Sequence, residues 1–283
     1  MVSSLPSQIV SPSSKSALRL IARLDIKGAN LIKGIHLEGL RVVGDPQLHA
    51  AQYYADGADE IIYMDTVASL YGRNSLIDVV SRATEHVFVP ITVGGGIRSV
   101  EDARTLLRAG ADKVAINTAA VKDPNLIREL SDVWGASTIV LSIEAKRTTE
   151  GKWEAYTDNG RERTGLDAVE WATNGASLGA GEIFVTSVDQ EGTKKGFDCQ
   201  LMAEITRNVD IPVIASGGFG QLEHLNELLS SSAPTGVAIA DSFHYKRFTF
   251  AQIRDFCASN GIATRTQLLS KSGKQLMTET ARL

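Results

Sequence analysis

Two carboxylates, Asp25 and Glu144, stand at the ends of short apolar runs, Leu18 to Asp25 and Ile139 to Ile143. A pair of acids across a site can act as general acid and base when their surroundings separate their pKa values, whereas a single strand-end acid often only caps the next loop. A second chemistry-bearing stretch is Pro90-Ile-Thr-Val-Gly-Gly-Gly-Ile-Arg98, an apolar run ending in three glycines, followed by a helical pattern from Ser99 to Ala109. Glycines let backbone N–H groups approach an anion, and the following helix offers its positive end, so this is a candidate phosphate cradle. A plain strand-to-helix turn would need only one glycine. Four charges, Arg19, Glu60, Lys113 and Glu182, each open an apolar run. Side chains alternate along a strand, so Arg19 shares a face with Asp25, Lys113 with Asn117, and Glu182 with Thr186. Inside an apolar barrel four such charges must pair, two cations with two anions, as a structural plug or as a gate for a small molecule.

The elements that must position these groups repeat along the chain. Eight β-branched runs (Leu18 to Asp25, Glu60 to Asp65, Ile91 to Val93, Lys113 to Ile116, Ile139 to Ile143, Glu182 to Thr186, Val213 to Ser216 and Gly236 to Ala240) alternate with helical patterns such as Pro46 to Ala55, Asn125 to Trp134 and Leu222 to Leu229. Near-continuous apolar strands separated by helices predict a parallel sheet, and eight units predict a single closed (β/α)8 TIM barrel. An internal repeat supports this: Pro90-Ile-Thr-Val-Gly-Gly-Gly matches Pro212-Val-Ile-Ala-Ser-Gly-Gly 122 residues later, and Gly57-Ala-Asp-Glu-Ile-Ile matches Gly179-Ala-Gly-Glu-Ile-Phe at the same offset. The barrel is therefore read as two homologous half-barrels. Its glycine turns become opposed phosphate sites, which implies a substrate with two phosphate ends.

The chain has 283 residues, 43% hydrophobic, with a formal net charge of −4, and no basic block, which argues against nucleic acid as a partner. Cys199 and Cys257 form no metal spacing or disulfide framework, and no apolar run reaches membrane-spanning length. Residues 1–17 read as a flexible leader without a signal core, 18–265 as the barrel and 266–283 as a polar tail, with the cytoplasm as the expected compartment. The five histidines lack ligand spacing, and no metal or cofactor is expected. Trp134, Trp153 and Trp171 are read as packing residues.

Leu24-Asp-Ile-Lys27, Ile32-Lys-Gly34, Val43-Gly-Asp-Pro46, Gly57-Ala-Asp-Glu-Ile-Ile62, Thr92-Val-Gly-Gly-Gly-Ile97, Ala111 to Val121 and Thr186 to Thr193 together closely resemble the cyclase subunit of imidazole glycerol phosphate synthase, over Leu18 to Arg265. The sister sugar isomerase of histidine biosynthesis shares the phosphate motifs, but the four-charge ring and Asp65-Thr-Val-Ala-Ser69 resemble the cyclase. The resemblance implies a glutaminase subunit docked on the N-terminal face of the barrel. Ammonia would pass the gate Arg19, Glu60, Lys113 and Glu182 to a bisphosphate formamidino-ribulosyl intermediate, giving imidazole glycerol phosphate and an aminoimidazole carboxamide ribotide. It implies Asp25 and Glu144 as catalytic. Lys33, Gly95, Gly96, Asn117, Thr118, Thr186, Glu191, Gly192, Ser216, Gly217, Gly218, Ala240 and Asp241 would lie on the substrate side, with Lys33 helping to close the site.

Departures from the family pattern fall on that substrate side. Glu144 and Glu191 stand where the family has aspartate, and Lys27-Gly-Ala-Asn30 replaces an Asp-Gly-Arg sequence. One added methylene moves a carboxylate by about 1 Å, a displacement that can cost on the order of a hundredfold in rate. Asp241, in the eighth-strand loop, would repel a phosphate charge about 4 Å away by about 4 kcal/mol at an effective dielectric of 20, unless a cation such as Lys246 or Arg247 intervenes. An alternative is thus a cyclase-like paralogue delivering ammonia to another acceptor, such as a surface-polysaccharide sugar, or a non-catalytic subunit that activates a glutaminase.

Overall fold

The computed structural model describes residues 17–67 and 76–265. The serine-rich leader up to Ser16, the tail from Thr266, and Ala68 and Ser69 of the cyclase-like segment lie outside the described residues. Eight parallel strands close a barrel: β1 (Arg19–Lys27), β4 (Glu60–Asp65), β5 (Ile91–Gly94), β6 (Lys113–Ile116), β7 (Ile139–Arg147), β10 (Glu182–Ser187), β11 (Val213–Ser216) and β12 (Gly236–Ile239). β12 pairs with β1, and β7 with β10, so the eight-stranded barrel closes on itself. The TIM-barrel expectation holds.

Four further strands were not foreseen. β2 (Asn30–Ile35) and β3 (Glu38–Gly44) form a hairpin continuing β1, while β8 (Trp153–Thr157) and β9 (Glu162–Asp167) form one continuing β7. The second turn carries a readable signal, Asp158-Asn159-Gly160, with all three residues at positive φ (52°, 59° and 73°). The first turn runs through His36 and Leu37, at φ 53° and 62°, residue types that do not announce a left-handed turn. Trp153 packs into the core from a hairpin strand.

The hairpins follow equivalent strands of the two halves, and each leads into a helix capped by aspartate. Asp45 accepts from the N–H groups of Gln47 and Leu48 ahead of Pro46–Asp56, and Asp167 accepts from those of Val169 and Glu170 ahead of Ala168–Ser177. These caps are 122 residues apart, matching the repeat. Inside the barrel, Ile21, Ile62, Ala115, Val140, Phe184, Ile214 and Ala238 form a separate apolar layer, and the larger core lies between strands and helices. Among the described residues no helix is long and apolar enough to cross a membrane.

Candidate active site

At the N-terminal end of the barrel the four strand-opening charges close a ring. Arg19 Nη1 lies 2.9 Å from Glu60 Oε1 and its Nη2 2.5 Å from Glu182 Oε1, while Lys113 Nζ lies 2.7 Å from Glu182 Oε2 and 3.6 Å from Glu60 Oε2. Arg265 approaches Glu60 from outside at 3.8 Å. Each anion therefore meets both cations, the condition under which charges are retained in a low-dielectric interior. The apolar layer lies directly above, since Ile21, Ile62, Ala115 and Phe184 are two residues along the same strands.

At the opposite end, Glu144 near the end of β7 is buried and lines a cavity of about 260 Å³ with Arg23, Gly95, Gly96, Asn117 and Thr118. Its Oε2 accepts from the Gly160 N–H at 2.8 Å and from Asn117 Nδ2 at 3.2 Å. Oε1 accepts no hydrogen bond among the described residues. Burial pushes the Glu144 carboxyl up to about 7, against the lowering effects of the Gly160 N–H and Arg23. The unforeseen hairpin thus supplies a ligand to the acid: Gly160 belongs to its turn. Asn117, expected among the phosphate contacts, spends its amide on Glu144 and on the Tyr156 carbonyl.

Asp25, also buried, pairs through Oδ1 with Arg23 Nε at 2.8 Å. Arg23 is the residue the sequence reading missed, although the alternation that aligns Arg19 with Asp25 places it on the same inward face. Its Nη1 donates to the hydroxyls of Thr186 (2.8 Å) and Ser216 (3.2 Å). Those two residues, expected to bind substrate, therefore accept from a protein cation, leaving their own hydroxyl protons to donate.

The glycine turns have matching backbones. Gly95 and Gly96 have φ 104° and 74°, Gly217 and Gly218 100° and 98°, values that L side chains rarely adopt. A Cβ on Gly95 would sit 2.5 Å from the Asp65 carbonyl oxygen, and one on Gly217 2.7 Å from that of Ser187, the repeat-equivalent partner. These glycines therefore answer a packing demand as well as any phosphate.

Asn117 and Ala240 occupy equivalent places, one residue between a barrel strand and a short helix (Thr118–Lys122 and Asp241–His244). Only the first turn opens on the 260 Å³ cavity. Asp241 Oδ1 lies 3.4 Å from Arg247 Nε without a hydrogen bond, so of the two candidate cations Arg247 stands beside the carboxylate. Lys33 was expected in a closing loop. It is instead buried on β2, ion-paired with Glu191, and does not line that cavity. Burial raises the Glu191 carboxyl, but Lys33 and Arg23 outweigh it and hold the group below its ordinary range. Gly192 clasps the same hairpin, because a Cβ there would meet the Gly34 carbonyl oxygen at 2.6 Å.

Residues 19–249 match the family model described as "Histidine biosynthesis protein". The chain is 66% identical over 211 residues to the imidazole glycerol phosphate synthase subunit HisF of Legionella pneumophila, covering 75% of this chain and all of that relative. It is 48% identical over 250 residues to the subunit of the same name from Pyrococcus furiosus, and 46% over 255 residues to that of Mycobacteroides abscessus, each spanning 88% of this chain and 98% or 99% of the relative. With its barrel, its internal repeat and its paired strand-end acids, the chain belongs to the HisF family of imidazole glycerol phosphate synthase subunits, within the histidine biosynthesis proteins.

Proposed function

We propose that the protein is the cyclase subunit of an imidazole glycerol phosphate synthase, a lyase that adds ammonia to a bisphosphate formamidino-ribulosyl substrate and closes the imidazole ring. The observation that carries this reading is the stacking, within one barrel, of a neutral ion-pair ring at the N-terminal end, an apolar layer, and the Asp25 and Glu144 carboxylates at the C-terminal end. A glutaminase subunit docks on the N-terminal face, and ammonia enters through the ring of Arg19, Glu60, Lys113 and Glu182. An apolar layer favours neutral ammonia over ammonium, because an ion loses hydration there without a partner.

One substrate phosphate rests against Gly95, Gly96 and Thr118, and the other against Gly217, Gly218 and the Ala240–Asp241 turn. Glu144, with a pKa of about 7, both gives and takes a proton near neutral pH through its free Oε1, and Asp25 is its partner across the substrate. Arg247 beside Asp241 supports this reading, because a cation accompanies the charge that departs from the family pattern in the second turn.

The test is turnover of the purified protein with ammonium salt and the bisphosphate substrate. Release of imidazole glycerol phosphate and the aminoimidazole ribotide is expected, with Asp25→Asn and Glu144→Gln each slowing it by about 10²–10⁴-fold. A wild-type protein that binds the substrate but releases neither product would overturn the reading.

A further inference from the structure

Arg23 is among the bulkiest fully buried side chains of the protein, at 2% exposure. A guanidinium inside a barrel demands an account, because desolvating it costs several kcal/mol unless its surroundings return that energy. The return comes from three strands. Nε is bound to Asp25 on β1, and Nη1 donates to Thr186 on β10 and Ser216 on β11. The guanidinium carbon lies 5.4 Å from the centre of the Phe184 ring, whose face favours a cation. Nη2 makes no hydrogen bond among the described residues, and Arg23 lines the cavity that Glu144 lines.

Register fixes its depth. Asp25, Met64 and Gly94 pair across β1, β4 and β5, whereas Arg23 pairs with Ile62, two residues and about 7 Å deeper along the strands than the start of the glycine turn. Arg23 thus sits between the apolar layer and the acids, below the turns expected to hold phosphate.

We propose that Arg23 is a positioning residue for proton transfer: its clamped guanidinium orients the Asp25 carboxylate through Oδ1 and places a cation at the wall of the cavity that Glu144 lines. The groups around Glu144 make the second role specific. Asp25 on β1 and Asp158 in the β8–β9 turn oppose its ionisation, as does burial. The Gly160 N–H and the Arg23 cation favour it. Asn117 donates to it, and Tyr156 is its cross-strand neighbour. Without Arg23, burial and two anions would act on Glu144 with one opposing cation removed.

The kinetic part of the inference rests on the cyclase reading; the electrostatic part does not. Two variants separate charge from shape: Arg23→Gln removes the cation, and Arg23→Lys keeps it without the fork. In turnover of the bisphosphate substrate, Arg23→Gln is expected to lower kcat on the order of a hundredfold with KM changed less than about threefold. The pH-rate limb belonging to Glu144 should move up by about one unit. Arg23→Lys should restore the limb and part of kcat. A rise in KM at unchanged kcat would make Arg23 a substrate ligand and overturn the proposal.

Titration of the Glu144 side-chain carboxyl by carbon-13 NMR, assigned by its loss in Glu144→Gln, reads the same charge effect without turnover. Its midpoint should rise in Arg23→Gln and remain near the wild-type value in Arg23→Lys. An unchanged midpoint in a folded Arg23→Gln protein overturns the inference even if the wild-type protein proves to have another substrate. A shifted midpoint with no wild-type turnover would instead leave the positioning role standing and remove the cyclase reading.

Discussion

The two half-barrels share a backbone plan and differ in what they charge. Each has a strand continuing into a hairpin, an aspartate-capped helix, a double-glycine turn, and a single residue leading into a short helix. In the first half the glycine turn faces an open cavity, and Asn117 at the helix start reaches across to Glu144. In the second half the hydroxyl before the glycines, Ser216, is engaged by Arg23, and the helix start carries an aspartate held by Arg247. Duplication thus conserves what backbone geometry demands and leaves side-chain charge free to diverge. One half has become the more open and neutral end, and the other the more internally paired one.

The largest effects that can test this comparison lie in the glycine turns. A Cβ on Gly218 would sit 1.8 Å from the Gly196 carbonyl oxygen, in a segment already tied by the Gly196 N–H to the Gly218 carbonyl at 2.9 Å. Neither neighbour is a flexible side chain, so the backbone must shift and a left-handed φ must be held by an L residue. Gly218→Ala is expected to destabilise the protein by on the order of 4 kcal/mol in denaturant unfolding. Gly95→Ala, whose Cβ would lie 2.5 Å from the Asp65 carbonyl oxygen, should cost less. Equal midpoints for the two variants would show that the 1.8 Å approach at Gly218 is relieved as cheaply as the 2.5 Å approach at Gly95.

A second test uses the carboxyl that only the first half's cavity receives. Glu144 is raised from 4.5 to about 7, so the folded protein holds a proton that the unfolded chain has released. Its contribution is full below pH 4.5 and is lost as the pH rises toward 7, by about 3 kcal/mol. Glu144→Gln should remove that slope, so unfolding curves of wild type and variant should diverge in the variant's favour between pH 5 and 7.5. Parallel curves would mean that burial does not raise the Glu144 carboxyl.

Much of this was legible in the chain. The barrel followed from the rhythm of apolar runs because buried parallel strands leave a continuous hydrophobic signature, and the ring followed because four charges opening such runs can only meet at one barrel end. The hairpins were hidden for different reasons. Asp158-Asn159-Gly160 is an ordinary turn signal lying between the stronger apolar runs Ile139 to Ile143 and Glu182 to Thr186, while His36 and Leu37 carry no such signal and are held at positive φ by the loop they pack on, through His36 N–H to the Glu191 carbonyl at 2.8 Å. Arg23 was legible by parity, but an arginine in the middle of a barrel strand is explained only by partners 163 and 193 residues away. Asp241 was visible as a charge, and only the fold shows which neighbour answers it.

That neighbour gives the smallest and most discriminating test. Arg247 Nε lies 3.4 Å from Asp241 Oδ1, and both side chains keep some contact with water, so the pair is worth little to stability, on the order of 1 kcal/mol or less. Its value would lie in what it presents to an anion. With Arg247 in place the second turn offers its glycine N–H groups beside a neutral pair; without it, the same turn offers them beside a bare carboxylate. Arg247→Ala should therefore leave the unfolding midpoint nearly unchanged, raise the KM for a bisphosphate substrate by about tenfold, and leave kcat within a factor of a few. Adding Asp241→Asn to that variant removes the repelling charge and should return most of the lost affinity, which loss of packing alone would not allow. If the double variant binds no better than Arg247→Ala, the arginine is itself the anion's ligand, and the two halves differ more deeply: one would grip phosphate by backbone alone, the other by a side-chain cation.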